Sequence, residues 1–246
     1  MTIELLIFDC DGVLIDSEPV ASGTLAQALQ RAGVPLSHAE VHCRFTGLSG
    51  EAAGRLCREE LGLADPDRVF ADAKSALYAE FSRSLRPMAG MEELVRAVKQ
   101  RKCVASNSDM ERLRRSLGLL DLWTEFAPYI YSAEMVARPK PAPDLFLLCS
   151  ENLGVAPHRC LVIDDSALGI AGAVAAGMAA IGFVDPADPR SGRHEALKAA
   201  GALRTVEGAG ELALALAALS SSEEERASSE KEQASSERKP AVETAG

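Results

Sequence analysis

Four aspartates follow short apolar runs of the sequence. Asp9 and Asp11 come directly after residues 3–8, and Asp164 and Asp165 end a later run. If both runs are strands of one sheet, up to four carboxylates converge, and repulsion and desolvation would oppose their ionisation unless a cation is bound. Oxygen ligands of this kind suit Mg²⁺. The sequence therefore predicts a magnesium site formed by these aspartates.

A solvated turn and a zinc site are the two alternatives to a magnesium site. An isolated Asp-x-Asp-Gly sequence is about as typical of a solvated turn as of a metal site, and it is the second acidic run that favours the metal. Zinc is a poorer fit, because no histidine stands in a ligand pattern with a cysteine. His38 and His42 lie near Ser37, a predicted helix cap, so we expect them away from the acidic residues.

Two further residues are suited to holding an anion. Ser106 follows another strand-like run and can donate its hydroxyl and backbone N–H at a strand-to-helix turn. Lys140 stands between Pro139 and Pro141, which restrict its backbone. Taken singly, a serine here is typical of a helix cap and a lysine of a solvated surface. Beside an acidic cluster, the pair indicates a phosphate site.

Alternation of strand-like and helical segments predicts an α/β fold with a doubly wound, mainly parallel sheet. In such sheets the ligand crevice lies beyond the carboxyl ends of the strands, which is where the polar residues fall. The predicted strands are residues 3–8, 103–105, 129–131, 160–163 and 179–184. The predicted helices of this part are residues 91–99, 110–117, 144–153 and 168–176. Trp123 and the leucines 113, 117 and 120 are predicted to pack in the core.

The alternation is interrupted early in the chain. Residues 17–87 are predicted to form an inserted helical cap, and residues 1–16 and 88–219 the core. Helices are expected at residues 19–32, 50–61 and 67–84, and the loop at residues 47–50 could lie over the site. Residues 220–246 are rich in Ser, Glu, Lys and Ala, which predicts a disordered tail.

Charge and composition limit the classes of partner. The formal net charge of −10 disfavours nucleic acid, which usually requires a basic face. No apolar stretch is long enough to span a membrane, and no signal peptide is evident. The six cysteines lack a C-x-x-C pair and are expected to be reduced and mostly buried. We expect a cytoplasmic protein, and a monomer, because the cap lets one chain close its own site.

Four motifs, in order, resemble those of the haloacid dehalogenase superfamily: FDCDGVLIDSE, VASNS, RPKPAPDLF and VIDDSALG. The resemblance covers about residues 3 to 219 and implies a Rossmann-like core. The position of residues 17–87 is similar to that of the helical cap in the β-phosphoglucomutase-like branch, which includes phosphogluconate phosphatases.

The resemblance implies a role for each matching residue. Asp9 would attack phosphorus, and Asp11 would protonate the leaving oxygen and later activate water. Ser106 and Lys140 would hold the phosphoryl group. The expected magnesium ligands are Asp9, the backbone carbonyl of Asp11, and Asp165 with help from Asp164. Asn107 and Ser166 would contact the residues that bind the metal and the phosphate, rather than the metal or the phosphate themselves.

The residues also bear on the reaction. An aspartate at position 11 favours a reaction on phosphate esters. The dehalogenases and phosphonoacetaldehyde hydrolases of the superfamily lack an aspartate at this position. Mutases of the β-phosphoglucomutase-like branch have a histidine at the position of Ala21 and an arginine at the position of Gly50. The resemblance therefore favours a phosphatase that acts on a small phosphorylated metabolite.

Two alternatives stay open: a phosphosugar mutase and a non-catalytic metabolite-binding protein. Arg44 and Lys74 are candidates to contact an anionic end of the substrate, although either is also typical of a solvated helical surface.

Overall fold

A six-stranded parallel sheet forms the centre of the molecule. The computed structural model describes residues 2–46, 48 and 50–219, and the strand order is β3-β2-β1-β4-β5-β6. The strands are β1 Leu5–Phe8, β2 Arg101–Ser106, β3 Ile130–Ser132, β4 Cys160–Asp164, β5 Ala179–Val184 and β6 Arg204–Glu207. The order reverses direction at β1, so the predicted Rossmann-like, doubly wound fold is confirmed.

Both faces of the sheet are covered by apolar layers. Leu6 and Phe8 point into one buried cluster, and Leu5 and Ile7 point into the other, as the period of two in a strand requires. β1 is paired on both sides, with Phe8 opposite Val104 of β2 and Ile163 of β4. Asp9, the first residue after β1, therefore lies level with Asp164, the last residue of β4.

Helices connect the strands on the two faces. They are α5 Met91–Ala97, α6 Met110–Ser116, α7 Leu122–Phe126, α8 Asp144–Leu153, α9 Ala167–Ala175 and α10 Arg193–Ala199, and residues 208–219 form a last helix. Helices α8 and α9 contribute to the cluster around Leu5 and Ile7. The prediction missed α10 and β6. The leucines 113 and 117 are fully buried, and Leu120 and Trp123 pack against the same cluster, as predicted.

Four helices lie between β1 and α5 and are called here the helical insertion: α1 Glu18–Arg31, α2 His38–Phe45, α3 Gly50–Glu59 and α4 Pro66–Ser84. They have an apolar cluster of their own, which includes Leu29, Val41 and Val69. The sequence predicted three of them with their ranges and, for α2, only the cap at Ser37, which the structure shows in a complete capping box with Glu40. The domain boundaries themselves stay a prediction.

Some predictions concern residues outside the described ranges. The predicted disordered tail at residues 220–246 lies there, as do Gly47 and Ser49 of the predicted loop over the site. Among the described residues, no helix combines the length and the apolar character that crossing a membrane would require.

Candidate functional site

Three carboxylates meet at the carboxyl ends of β1 and β4. Asp9, Asp164 and Asp165 each offer an oxygen atom within 4.8 Å of the others, and they are called here the acidic group. The backbone N–H of Asp9 donates to Ile163 at 2.9 Å, which continues the pairing of β1 with β4 and fixes the relative height of the aspartates. Adjacent parallel strands therefore create the cluster.

Lys140 is the cation of this group. Its Nζ lies 2.6 Å from an oxygen of Asp9 and 2.8 Å from an oxygen of Asp164, and only 3% of its side chain is exposed. Asn107 holds the lysine backbone from both sides: its Oδ1 accepts from the Lys140 N–H at 3.0 Å, and its Nδ2 donates to the Lys140 carbonyl at 3.1 Å. The segment after β2 thus positions the lysine.

The acidic group has more negative charge than its lysine can balance. Burial raises the pKa of Asp9 to about 7, with Asp164 adding to the rise, although Lys140 opposes it. Burial together with the charges of Asp164 and Asp9 raises the pKa of Asp165 well above its usual range. Burial alone would lower the pKa of Lys140, but Asp164 and Asp9 raise it. A cation would relieve this repulsion.

Asp11 lies apart from the acidic group, which corrects the expectation that its carboxylate would converge with the other three. Ser17 Oγ donates to its Oδ1 at 2.5 Å, and Ser108 Oγ donates to its Oδ2 at 2.8 Å. Arg112 donates from Nη2 to Oδ1 at 2.7 Å and from Nε to Oδ2 at 3.4 Å. Burial would raise the pKa of Asp11, but Arg112 and the two serines lower it below its usual value.

The helix that follows β4 secures Asp164. Ser166 donates to Asp164 Oδ1 from its N–H at 2.9 Å and from its Oγ at 2.7 Å, and its Oγ accepts from the Gly169 N–H at 3.0 Å, which caps α9. A Cβ at Gly169 would overlap the Asp164 carboxylate, so the first turn of α9 approaches closely only because this residue is glycine. Ser106, at the end of β2, is buried, and its Oγ accepts from the Ser108 N–H at 3.1 Å.

A cavity of about 250 Å³ adjoins the acidic group. Its lining includes Gly12 and Asp165 on the sheet side and His38 and His42 of α2 on the insertion side. The two histidines, which we expected away from the acidic residues, thus line the same cavity as Asp165. The carboxylates near His42 are those of Glu18 and Asp188, each 3.9 Å from its Nε2.

Paired charges cover another wall of this cavity, and they are called here the ion-pair cluster: Glu18, Asp188, Arg190 and Arg193. Arg190 contacts Asp188 at 2.6 Å and Glu18 at 3.0 Å. Arg193 contacts Asp188 at 3.0 Å and Asp165 at 3.2 Å, so it also reaches the acidic group. The cluster connects the start of the helical insertion to the segment after β5.

The two candidate substrate residues lie elsewhere. Arg44 pairs with Glu60 at 2.7 Å within the helical insertion and is not part of the cavity lining. Lys74 of α4 pairs at 3.2 Å with Asp109, the N-cap residue of α6, and so contacts the segment that carries Arg112. Their roles toward a substrate stay predictions.

Sequence reasoning missed several residues that contact the site. Ser17 and Ser108 lie inside the quoted motifs, so their short polar side chains were a signal that could have been used. Arg112 lies four residues after Ser108, in the first turn of α6, and its side chain contacts Asp11. No sequence signal indicates Asp188 or Arg193, because their partners are set by how the chain returns after β5.

Comparisons with known proteins show the family to which the chain belongs. The family model described as haloacid dehalogenase-like hydrolase matches residues 3–177. The chain is 29% identical over 193 residues to the 6-phosphogluconate phosphatase of Escherichia coli, covering 77% of this chain and 85% of that protein. It is 30% identical over 187 residues to the phosphorylated carbohydrates phosphatase of Thermotoga maritima, covering 72% and 82%.

Solved structures of haloacid dehalogenase-like proteins have a similar fold. A haloacid dehalogenase-like protein from Agrobacterium tumefaciens superposes with a TM-score of 0.81 at 33% identity, covering 89% of this chain and 99% of that one. A hydrolase from Deinococcus radiodurans, solved with bound phosphate and sodium, superposes with a TM-score of 0.78 at 29% identity, covering 89% and 96%.

Proposed function

Because the chain belongs to the haloacid dehalogenase-like hydrolases and is a phosphoric monoester hydrolase, we propose that it is a Mg²⁺-dependent phosphatase acting through an aspartyl-phosphate on Asp9. One observation carries the proposal: Asp9 lies 2.6 Å from the buried Lys140 and within a group of three carboxylates. A nucleophile, a phosphate-binding cation and a cation site thus adjoin one another. The helical insertion between β1 and α5 fits the β-phosphoglucomutase-like branch.

The reaction proceeds in two displacements. A carboxylate oxygen of Asp9 attacks phosphorus and the bond from phosphorus to the ester oxygen breaks. Asp11 must first bind a proton in the substrate complex because, against the effect of burial, its contacts with Arg112 and two serines lower its pKa, and it then gives that proton to the leaving oxygen. Water then attacks the aspartyl-phosphate, Asp11 takes a proton from this water, and inorganic phosphate leaves with Asp9 restored. Lys140 and Ser106 hold the phosphoryl oxygens through both displacements.

The chemistry of the donor set fits Mg²⁺. Asp9, Asp164 and Asp165 offer only oxygen atoms, and burial with mutual repulsion raises the pKa of Asp9 and Asp165 in the absence of a counterion. Asp9, Asp165 and the backbone carbonyl of Asp11 would hold the ion, with Asp164 supporting them. When bound, Mg²⁺ would offset the charge of the nucleophile and of the phosphate.

We propose a phosphorylated sugar or sugar acid as the substrate class. The relatives named for 6-phosphogluconate and for phosphorylated carbohydrates support this class. Against a mutase, Ala21 packs on the core cluster and has no group that could exchange a proton with a sugar hydroxyl. Against a mere binding protein, Asp9, Asp11 and Lys140 are all present. The cytoplasmic location and the monomeric state stay predictions.

The test is phosphate release from p-nitrophenyl phosphate and from a panel of sugar and sugar-acid phosphates, with and without Mg²⁺. We expect Asp9→Asn to lower kcat by at least about 1,000-fold, since it removes the nucleophile. Asp121→Asn is the matched control, because that side chain is 90% exposed. Equal activity of the Asp9 variant and the control would refute the mechanism, and conversion of a sugar phosphate to its isomer without phosphate release would favour the mutase.

A further inference from the structure

Arg112 contacts the site in a way that the proposed reaction does not use. It lies on α6, its side chain is 23% exposed, and its guanidinium carbon lies 5.5 Å from the centre of the Phe81 ring of α4. The guanidinium therefore stands at the boundary between the sheet and the helical insertion, next to Asp11. Among the described residues, Asp11 is its one carboxylate partner.

Among the described residues, the hydrogen bonds of Asp11 already use the acceptor positions that a substrate would need. A carboxylate offers about four acceptor positions, and four donor atoms already occupy them: Ser17 Oγ, Ser108 Oγ and the Nε and Nη2 atoms of Arg112. An Asp11 oxygen can face the leaving oxygen of a phosphate ester only after at least one donor departs. Arg112 supplies two of the four, and its long side chain can move without breaking the backbone.

The geometry also indicates what could draw Arg112 away. Its Nε and Nη2 edge already holds a planar carboxylate, that of Asp11, with both oxygens engaged. Another carboxylate matches the same pair of donors. The other cations near the acidic group are less available: Lys140 contacts Asp9 and Asp164, and Arg193 contacts Asp165 and Asp188.

We propose that Arg112 is the receptor for a carboxylate on the substrate, and that its transfer from Asp11 to this carboxylate frees Asp11 to face the leaving oxygen. The inference rests on the proposed phosphatase function and narrows its substrate class to phosphorylated sugar acids. Arg112 thereby becomes a specificity-determining residue.

A matched substrate pair tests the proposal. Gluconate 6-phosphate and glucitol 6-phosphate share the phosphate and the carbon chain and differ at the far end, which is a carboxylate in one and a hydroxymethyl group in the other. We expect wild-type protein with Mg²⁺ to prefer the gluconate ester. In Arg112→Gln, the ratio of the two kcat/KM values should fall by at least about 10-fold, mainly through KM for the gluconate ester, because a bidentate charged contact is lost.

The neighbouring Arg115 supplies the control. It lies on the same helix, stacks over Tyr78 at 4.7 Å and pairs with Glu111 at 2.9 Å, but has no contact with Asp11 among the described residues. Arg115→Gln should leave the substrate ratio unchanged. Arg112→Lys, which retains charge but lacks the fork, should recover part of the preference.

A binding measurement separates this inference from the proposed function. In the Asp9→Asn background with Mg²⁺, calorimetry should show tighter binding of gluconate 6-phosphate than of glucitol 6-phosphate, and Arg112→Gln should remove the difference. Equal loss of both substrates in Arg112→Gln, or an unchanged ratio, would overturn the inference while leaving the phosphatase intact. Failure to hydrolyse any phosphate ester, p-nitrophenyl phosphate included, would instead refute the proposed function.

Discussion

The acidic group and the ion-pair cluster are both largely shielded from solvent, and the contact between Asp165 and Arg193 joins them, yet their charges are arranged differently. In the ion-pair cluster, Glu18 and Asp188 face Arg190 and Arg193, so positive and negative charges are equal in number. In the acidic group, Lys140 contacts Asp9 and Asp164, and the third carboxylate, Asp165, pairs among the described residues only with Arg193, which it shares with Asp188. Removing one member of a shielded ion pair destabilises the fold. A group with excess negative charge is instead stabilised by binding a cation.

This difference separates a structural cluster from a binding site. The ion-pair cluster ties the helical insertion to the segment after β5, and each of its charges contacts an opposite charge within the cluster. The acidic group keeps its repulsion in the folded protein, and the raised pKa of Asp9 is the consequence. Removing one charge should therefore have opposite effects on stability in the two places.

The largest expected effect on stability is in the ion-pair cluster. Asp188 is 4% exposed in its side chain and contacts both Arg190 and Arg193. Asp188→Asn should lower the free energy of unfolding by about 3 kcal/mol, because the partly buried guanidinium groups of Arg190 and Arg193 each lose one of their two carboxylate partners. Urea denaturation measures the change, with Asp121→Asn as the exposed control. A loss no larger than that of the control would contradict the distinction between the clusters.

Stabilisation by Mg²⁺ should depend on the acidic group and not on the ion-pair cluster. Magnesium at about 100 times its dissociation constant should raise the free energy of unfolding of the wild type by about 2.7 kcal/mol, and EDTA should remove the gain. Asp165→Asn should lose most of this increment. Asp188→Asn should keep it, although its starting stability is lower. The thermal midpoint with and without Mg²⁺ distinguishes the two variants, and an increment that survives in Asp165→Asn would argue against the acidic group as the metal site.

A smaller effect of opposite sign is expected at Asp9 in metal-free protein. Its folded pKa is raised to about 7 from 3.8, mainly by burial. As the pH rises from about 3.8 to 7, the unfolded chain has released this proton while the folded chain retains it, so stability falls. Asp9→Asn mimics the neutral form and should be more stable than wild type at pH 8 in EDTA, on the order of 1 kcal/mol. The higher stability of Asp9→Asn should disappear in acid. Equal stability of the variant and the wild type at pH 8 would show that Lys140 fully balances the charge of the acidic group.

The smallest effect concerns His42. Its Nε2 lies 3.9 Å from both Glu18 and Asp188, yet burial, followed by the charge of Arg190, lowers its pKa below 6.5, and Asp188 only partly opposes this. The neutral ring is favoured in the fold, so its contribution to stability is complete above the ordinary pKa and is lost as the pH falls toward the folded pKa. Between pH 7.5 and 5, wild type should lose more stability than His42→Gln. Parallel denaturation curves would contradict the lowered pKa.

Local sequence determined much of the acidic site. Apolar runs followed by aspartates predicted two strands, and the pairing of Phe8 with Ile163 brings Asp9 and Asp164 to one level. Lys140 was predicted from its restricted backbone, and Asn107, which holds that backbone, from its motif. These residues are predictable because each lies within one or two positions of a strand end or a proline, where the backbone direction follows from residue type.

The surroundings of Asp11 and Asp165 were not predictable in the same way. Arg112 is 101 residues from Asp11 in the chain, and Arg193 is 28 residues from Asp165. Helix α2, of which only the cap was predicted, carries His42 to a cavity that no local pattern indicated. Such contacts depend on how α6 and α4 pack and on where the chain returns after β5.

The sequence by itself determined the alternation of strands and helices in the core and which carboxylates end two of the strands, because hydrophobic periodicity and turn chemistry act over a few residues. Only the tertiary structure decided which charges are balanced. Whether a buried carboxylate meets an arginine or another carboxylate depends on side chains from distant segments, and over a few ångströms that choice reverses the sign of the electrostatic energy.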